Sequence, residues 1–135
     1  MPMKNHLTTT LLIASLFLSG CASMNTAHTP PEGSAERNAI LQAVHHALAR
    51  QGRKNLVLIV PYLKVHNGWA WIQVNPQSKN GTQHYESQSG LLQEKTTNQW
   101  TLLEWMPAEE GTDYATYFKN LKAKYPAAPA DIFPQ

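Results

Sequence analysis

Apolar positions along the chain change period several times, and each change marks a segment. Leu11 to Leu18 reads LLIASLFL, an almost unbroken apolar run far shorter than the ~20 residues needed to cross a hydrocarbon core. Ala22 to Gly33, ASMNTAHTPPEG, has no apolar period and contains Pro30-Pro31; it reads as a flexible tether, up to about 40 Å long when extended. From Ser34 the pattern turns helical: Ile40, Leu41, Val44 and Leu48 recur at three- and four-residue spacing. Ser34 is a suitable N-cap, Glu36 complements the helix dipole, and Gly52 supplies a stop.

Strand patterning follows. Leu56 to Val60, LVLIV, has the composition of a buried strand, and Pro61 within it requires an edge, a bulge or a bend. The strand resumes over Tyr62 to His66. Asn67-Gly68 then predicts a type I′ hairpin into Trp69–Asn75. A two-residue loop sets His66 opposite Trp69, Lys64 opposite Trp71 and Leu63 opposite Ile72. One face of the hairpin then carries Leu63, Val65, Ala70, Ile72 and Val74, which must pack on the core. The other carries Lys64, His66, Trp69, Trp71 and Gln73. Gly90–Lys95 predicts a third strand and Trp100–Met106 a fourth, with Trp100 and Trp105 on opposite faces by parity. Pro107 ends that strand, and Glu109-Glu110 belong to a solvated loop. Thr112 caps a last helix whose stripe is Tyr114, Tyr117, Phe118, Leu121 and Tyr125. Ile132 and Phe133 are expected to tuck onto the domain. The order predicts an α+β fold: an N-terminal helix packed on a four-stranded antiparallel meander, plus a C-terminal helix, with both helices over one face.

The start of the chain adds an address. Met1 to Asn5 holds Lys4 and no acid, and with the short apolar run it reads as a secretory signal peptide. Leu18-Ser19-Gly20-Cys21 resembles the lipobox of bacterial lipoprotein signal peptides. That resemblance implies recognition of Leu18, Ser19 and Gly20 by the signal peptidase and attachment of diacylglycerol to the Cys21 thiol. Cleavage before Cys21 and acylation of the new amino group, typically with palmitate, would follow. A thiolate suits such alkyl transfer, and more than one acyl chain makes anchoring stable. Cys21 is the only cysteine, so no disulfide forms within one chain. Ala22 stands where an aspartate often marks inner-membrane retention, which implies the outer membrane with the domain facing the periplasm. Residues 1–20 are thus the lipoprotein signal peptide, 21–34 the tether and 35–135 a single domain.

Composition narrows the function classes. The chain has 11 Lys plus Arg against 9 Asp plus Glu, too balanced for the footprint of a nucleic-acid binder. His45-His46 project about 100° apart on a helix, whereas helical chelation wants i, i+4, so no metal is expected. No cofactor motif is present: there is no Gly-rich phosphate loop and no nucleophile elbow around Ser87 or Ser89. His66 and His84 could meet Glu86 or Glu104 in space. The inward positions of the hairpin are all apolar, which points away from an enzyme. Lys64, His66, Trp69 and Trp71 are the candidate partner-binding set, able to stack on a sugar, a peptide or a protein surface. In the opposing reading, Lys64 lies over Trp71 as a cation–π pair and the tail or a helix covers the rings.

From about Ala35 onward, the stretches "RNAILQAVHHAL", "LKVHNGWAWIQV", "LLQEKTTNQWTLLEW" and "YFKNLKAKYPAAPADIF" resemble small exported bacterial proteins of cystatin-like or NTF2-like shape. Gln99 departs from that pattern, since the turn there lacks the usual glycine. The resemblance implies the fold and the export and leaves activity open: the group is mostly without assigned function, and the wider superfamily spans enzymes, transport factors and inhibitors. The resulting expectation is a lipid-anchored periplasmic interaction module without catalytic activity. It would bind a protein or cell-envelope partner, as a secretion-system accessory or toxin-immunity protein would. The alternative is a small-ligand-binding or degenerate NTF2-like enzyme domain using the sheet concavity; an inward-facing polar residue with a pocket of roughly 300 Å³ or more would favour it, whereas a closed apolar core with both hairpin tryptophans exposed would favour the interaction module.

Overall fold

The computed structural model describes residues 26–135; the signal peptide, Leu18, Ser19, Gly20 and Cys21 lie outside the described residues. The element order is α1 (Ala35–Arg50), β1 (Leu56–His66), β2 (Trp69–Ser78), β3 (Gln88–Thr96), β4 (Gln99–Trp105) and α2 (Tyr114–Lys124), followed by a short 3₁₀ turn at Ala130–Ile132. The strands pair antiparallel in the order β1-β2-β3-β4. This is the α+β meander with flanking helices that the sequence pattern predicts.

Local chemistry accounts for the boundaries. Ser34 Oγ accepts from the Arg37 N–H at 3.2 Å and caps α1. Asn67 and Gly68 both take positive φ, 49° and 76°, as a type I′ turn requires, and the register is the expected one, with His66 opposite Trp69 and Lys64 opposite Trp71. The β3–β4 turn forms without glycine because Asn98 adopts φ 56°, a conformation asparagine tolerates, and its N–H donates to Glu94. Asp113, one residue beyond the expected Thr112, caps α2 by accepting from the Ala115 and Thr116 N–H groups.

Three register shifts interrupt the ladders, one between β1 and β2 and two between β3 and β4, and two of them decide which side chains share a face. Ile59 pairs with Asn75 and Tyr62 with Gln73, so Val60 and Pro61 together face Val74. Pro61 therefore sits both in a bulge and on an edge strand, where its missing N–H costs no ladder bond. In β4, Leu102 pairs with Leu92 and Glu104 with Leu91, which leaves Leu103 as the extra residue. An inserted residue reverses the alternation beyond it. Trp105 thereby joins Trp100 on the α1 side, correcting the parity expectation of opposite faces.

The helices lie on opposite faces of the sheet, not on one. Ile40, Val44 and Leu48 of α1 pack with Leu63, Val65, Ala70, Ile72, Val74, Leu92 and Trp100. Leu121 of α2, with Ala128, Ile132 and Phe133, packs on Trp69, Trp71 and Leu91. The reason is in the hairpin register: Trp69 and Trp71 project away from α1, and two indoles left in water would forgo several kcal/mol of burial. The second face is covered only in part. Its helix has 11 residues, about 16 Å, against 11 residues of β1 at about 3.3 Å each. Val57 and Ile59 lie beyond its reach and are 38% and 47% exposed, so LVLIV is not a wholly buried strand.

The tether also ends earlier than expected. His28 bridges antiparallel to Val65, with N–H to O distances of 2.9 and 2.8 Å. Thr29 Oγ1 donates to Leu63 O at 2.9 Å, and Pro30 is fully buried. Residues 27–30 thus form a strap along the outer edge of β1, and they belong to the folded body.

Candidate functional site

Where α2 gives out, the second face opens into a groove of about 550 Å³. Trp71 and Gln73 of β2 and Ser89 of β3 form part of its lining with Ser87, and the first turn of α2 contributes Tyr114. Gln73 Nε2 donates to Ser87 Oγ at 3.5 Å, a long bond, and Ser87 in turn donates to the side chain of Asn75. The lining side chains are Tyr, Trp, Phe, Met, Pro, Ala, Gln and Ser, all uncharged. Such a site can stack and hydrogen-bond an occupant but offers no acid–base pair.

One end of the groove is closed by an aromatic cluster. Trp71 meets Phe118 at 5.2 Å and Phe133 at 5.5 Å, both edge-on, and Phe118 meets Phe133 at 5.4 Å. Trp69 contacts Tyr125 at 6.0 Å, and Tyr62 Oη donates to Ile132 O at 2.8 Å. Edge-on pairs of this kind add roughly 0.5–1.5 kcal/mol each beyond area burial. Of the helical stripe, Leu121 is buried, Tyr117, Phe118 and Tyr125 are half-buried, and Tyr114 stands exposed at the rim of the groove. Burial first, then the negative charge of Glu104, push the Tyr117 phenol up to about 12, so it stays protonated.

The four candidate partner-binding residues separate. Trp69 and Trp71 are 8% and 1% exposed; they are core residues under α2 and the tail, and no free stacking surface. Lys64 is half-buried. The cation–π contacts among the described residues are Arg53 with Tyr85 and Lys124 with Tyr125, so the pairing of Lys64 with Trp71 does not form. His66 Nδ1 donates to Asp131 Oδ1 at 2.7 Å, and neither Glu86 nor Glu104 is its partner. Glu104 instead accepts from Lys124 at 2.9 Å and from the Tyr125 hydroxyl at 3.1 Å. His84 pairs through its backbone with Gln77. His45 and His46 are both exposed on the helix surface, and partial desolvation against the helix, then the charge of His46, lower the pKa of His45. Among the described residues, no group of three His, Cys, Asp or Glu side chains gathers as a metal site would need.

Asp131 also accepts from the Ala27 N–H at 2.9 Å, so one carboxylate clasps the strap to the hairpin. The bond from His66 is the chief cause that holds the Asp131 carboxyl below its ordinary 3.8. A folded value below the unfolded one means the clasp stabilises fully above the ordinary value and is lost as pH falls through the folded one. Amide exchange at Ala27 is therefore expected to stay slow from neutral pH down to about 4 and to lose its protection, after correction for intrinsic rates, below that. Unchanged protection to pH 2 would show that Asp131 does not hold the strap.

Little in the sequence marks the groove. Gln73 shares a face with Trp71 by parity, which was visible in the hairpin register. Ser87 and Ser89 gave no signal, because Thr82–Ser89 carries no apolar alternation. A scan against family models and searches of the curated proteins and the solved structures find no match to this chain.

Proposed function

We propose that this chain is a lipid-anchored, non-enzymatic binding module of the bacterial envelope. In this reading it is held at the outer membrane through acylated Cys21 and takes its partner, a protein or cell-envelope component, in the groove beside α2. The lipobox-like Leu18-Ser19-Gly20-Cys21 supports the anchor. The observation that carries the binding role is the open groove, lined by uncharged side chains, on a face otherwise closed by aromatic packing. The second reading, capture of a small ligand, is favoured by the volume of the same groove, about 550 Å³, which suits a compact organic molecule.

Photo-crosslinking in intact cells separates the two. With a benzophenone amino acid in place of Tyr114, a discrete macromolecular adduct is expected, and the same probe at His45 on the far side should give none. Equal adducts from both positions would refute the groove as the binding site. A small molecule that co-purifies with the wild-type domain and is lost in Gln73→Ala would favour the ligand reading. In the same cells, labelling with radioactive palmitate is expected to mark the wild-type protein and not Cys21→Ser; an unlabelled wild-type protein would refute the lipid anchor.

A further inference from the structure

The strap fixes where the chain leaves the folded body. Its register with β1, His28 opposite Val65, runs antiparallel, so the chain traced backward from His28 heads toward the Asn67-Gly68 turn. The Ala27 N–H is held by Asp131, which is itself bonded to His66, the last residue before that turn. The β3–β4 turn lies at the same end, since the Glu94 N–H donates to Gly68 O at 2.8 Å. The C-terminus of α2 reaches this end too, through the contact of Tyr125 with Trp69.

Only residues 22–26 separate Cys21 from Ala27. Whatever path they take, covalent geometry limits that span to about 20 Å, half of what a tether running to residue 34 would allow. We propose that the surface of the membrane carrying the Cys21 lipid is met by one particular end of this domain: the end bearing the Asn67-Gly68 and Thr97-Asn98 turns. This inference rests on the lipid-anchor reading. The exposed cations Lys95 and Lys122 lie on elements that finish at this end. Its acids Glu94 and Asp131 are each occupied by internal hydrogen bonds. A hydrogen bond leaves each carboxylate its charge, so the short span to Cys21, and not net charge, selects this end. The opposite end of the sheet, with Lys79 after the 10 residues of β2, then stands up to about 33 Å further from the bilayer. The groove, lined by the middle of β2 and the first turn of α2, opens on the side away from the lipid.

Energy transfer to acceptor lipids tests this on the mature acylated protein, reconstituted in phosphatidylethanolamine–phosphatidylglycerol vesicles. Donors are placed through Thr97→Cys or Lys79→Cys, the Cys21 thiol being blocked by its own lipid. Transfer is expected to be strong from position 97 and several-fold weaker from position 79. An added Asp131→Ala should loosen the strap and narrow that difference. Equal transfer from both positions in vesicle-bound protein would overturn the orientation while leaving the anchor intact. Mass spectrometry showing Cys21 without lipid would overturn the anchor and the orientation together.

Discussion

Trp71→Ala is expected to cost about 3–5 kcal/mol of folding stability, the range for truncating a fully buried aromatic. Small domains commonly have only 5–15 kcal/mol in total, so the variant should lose at least a large fraction of it. Trp71 is 1% exposed and meets Phe118 and Phe133 edge-on. Its removal therefore leaves a void shared by the sheet, α2 and the tail, three parts that cannot all collapse inward together. At roughly 4–8 °C per kcal/mol, thermal unfolding followed by circular dichroism should fall by about 12 °C or more. The same measurement discriminates between the two readings of the hairpin tryptophans. A surface residue reserved for stacking on a partner would change stability by less than about 0.5 kcal/mol, so a near-wild-type melting temperature would refute the covered face.

Gly90→Val should destabilise the domain even though it replaces a poor strand former with a good one. Strand propensity alone favours the change by up to about 1 kcal/mol. Against that, a Cβ at position 90 would stand 3.0 Å from Trp105 Cε3, 3.1 Å from Leu102 Cδ1 and 3.1 Å from the backbone oxygen of Glu104. The last of these cannot swing aside, because it belongs to the bulged strand paired with Gly90. Overpacking of this kind costs roughly 1–3 kcal/mol, and the two further methyls of valine enlarge the clash, so the steric effect wins. Trp105 fills the space that a side chain at 90 would occupy. Gly90→Ala combined with Trp105→Ala should accordingly cost less than the sum of the two single changes. Stability of Gly90→Val equal to or above wild type in urea melts would refute the close approach.

What the sequence disclosed, and what it withheld, follows the range of each interaction. The α1 boundaries and the β1–β2 register rest on contacts a few residues apart: Ser34 with Arg37, and Asn67-Gly68 with its flanking alternation. Such signals are written locally. The placement of α2 opposite α1 depends on which face the hairpin leaves uncovered, a relation between residues about 50 apart, and the pattern within α2 contains no hint of it. The Trp105 reversal depends on one inserted residue, Leu103, which no composition rule flags. The strap was hidden for the opposite reason. ASMNTAHTPPEG has the composition of a linker, yet His28 docks through its main chain and its imidazole, Thr29 through its hydroxyl and Pro30 through its ring, contacts that leave little trace in hydropathy. The groove is an absence, the part of a sheet that a short helix fails to reach, and absences appear only once lengths are compared in space.

Pro61 acquires a second consequence in a crowded two-dimensional setting. In the lipid-anchored reading proposed above, copies diffusing on one leaflet would collide often, and an open sheet margin with aliphatic side chains beside it is a template for polymerisation. The strap shields Leu63 to Val65, while Val57 and Ile59 stay bare. Pro61, bulged out and with no N–H to offer, interrupts that margin between the bare and the shielded stretch, as a gatekeeper residue against fibre growth does.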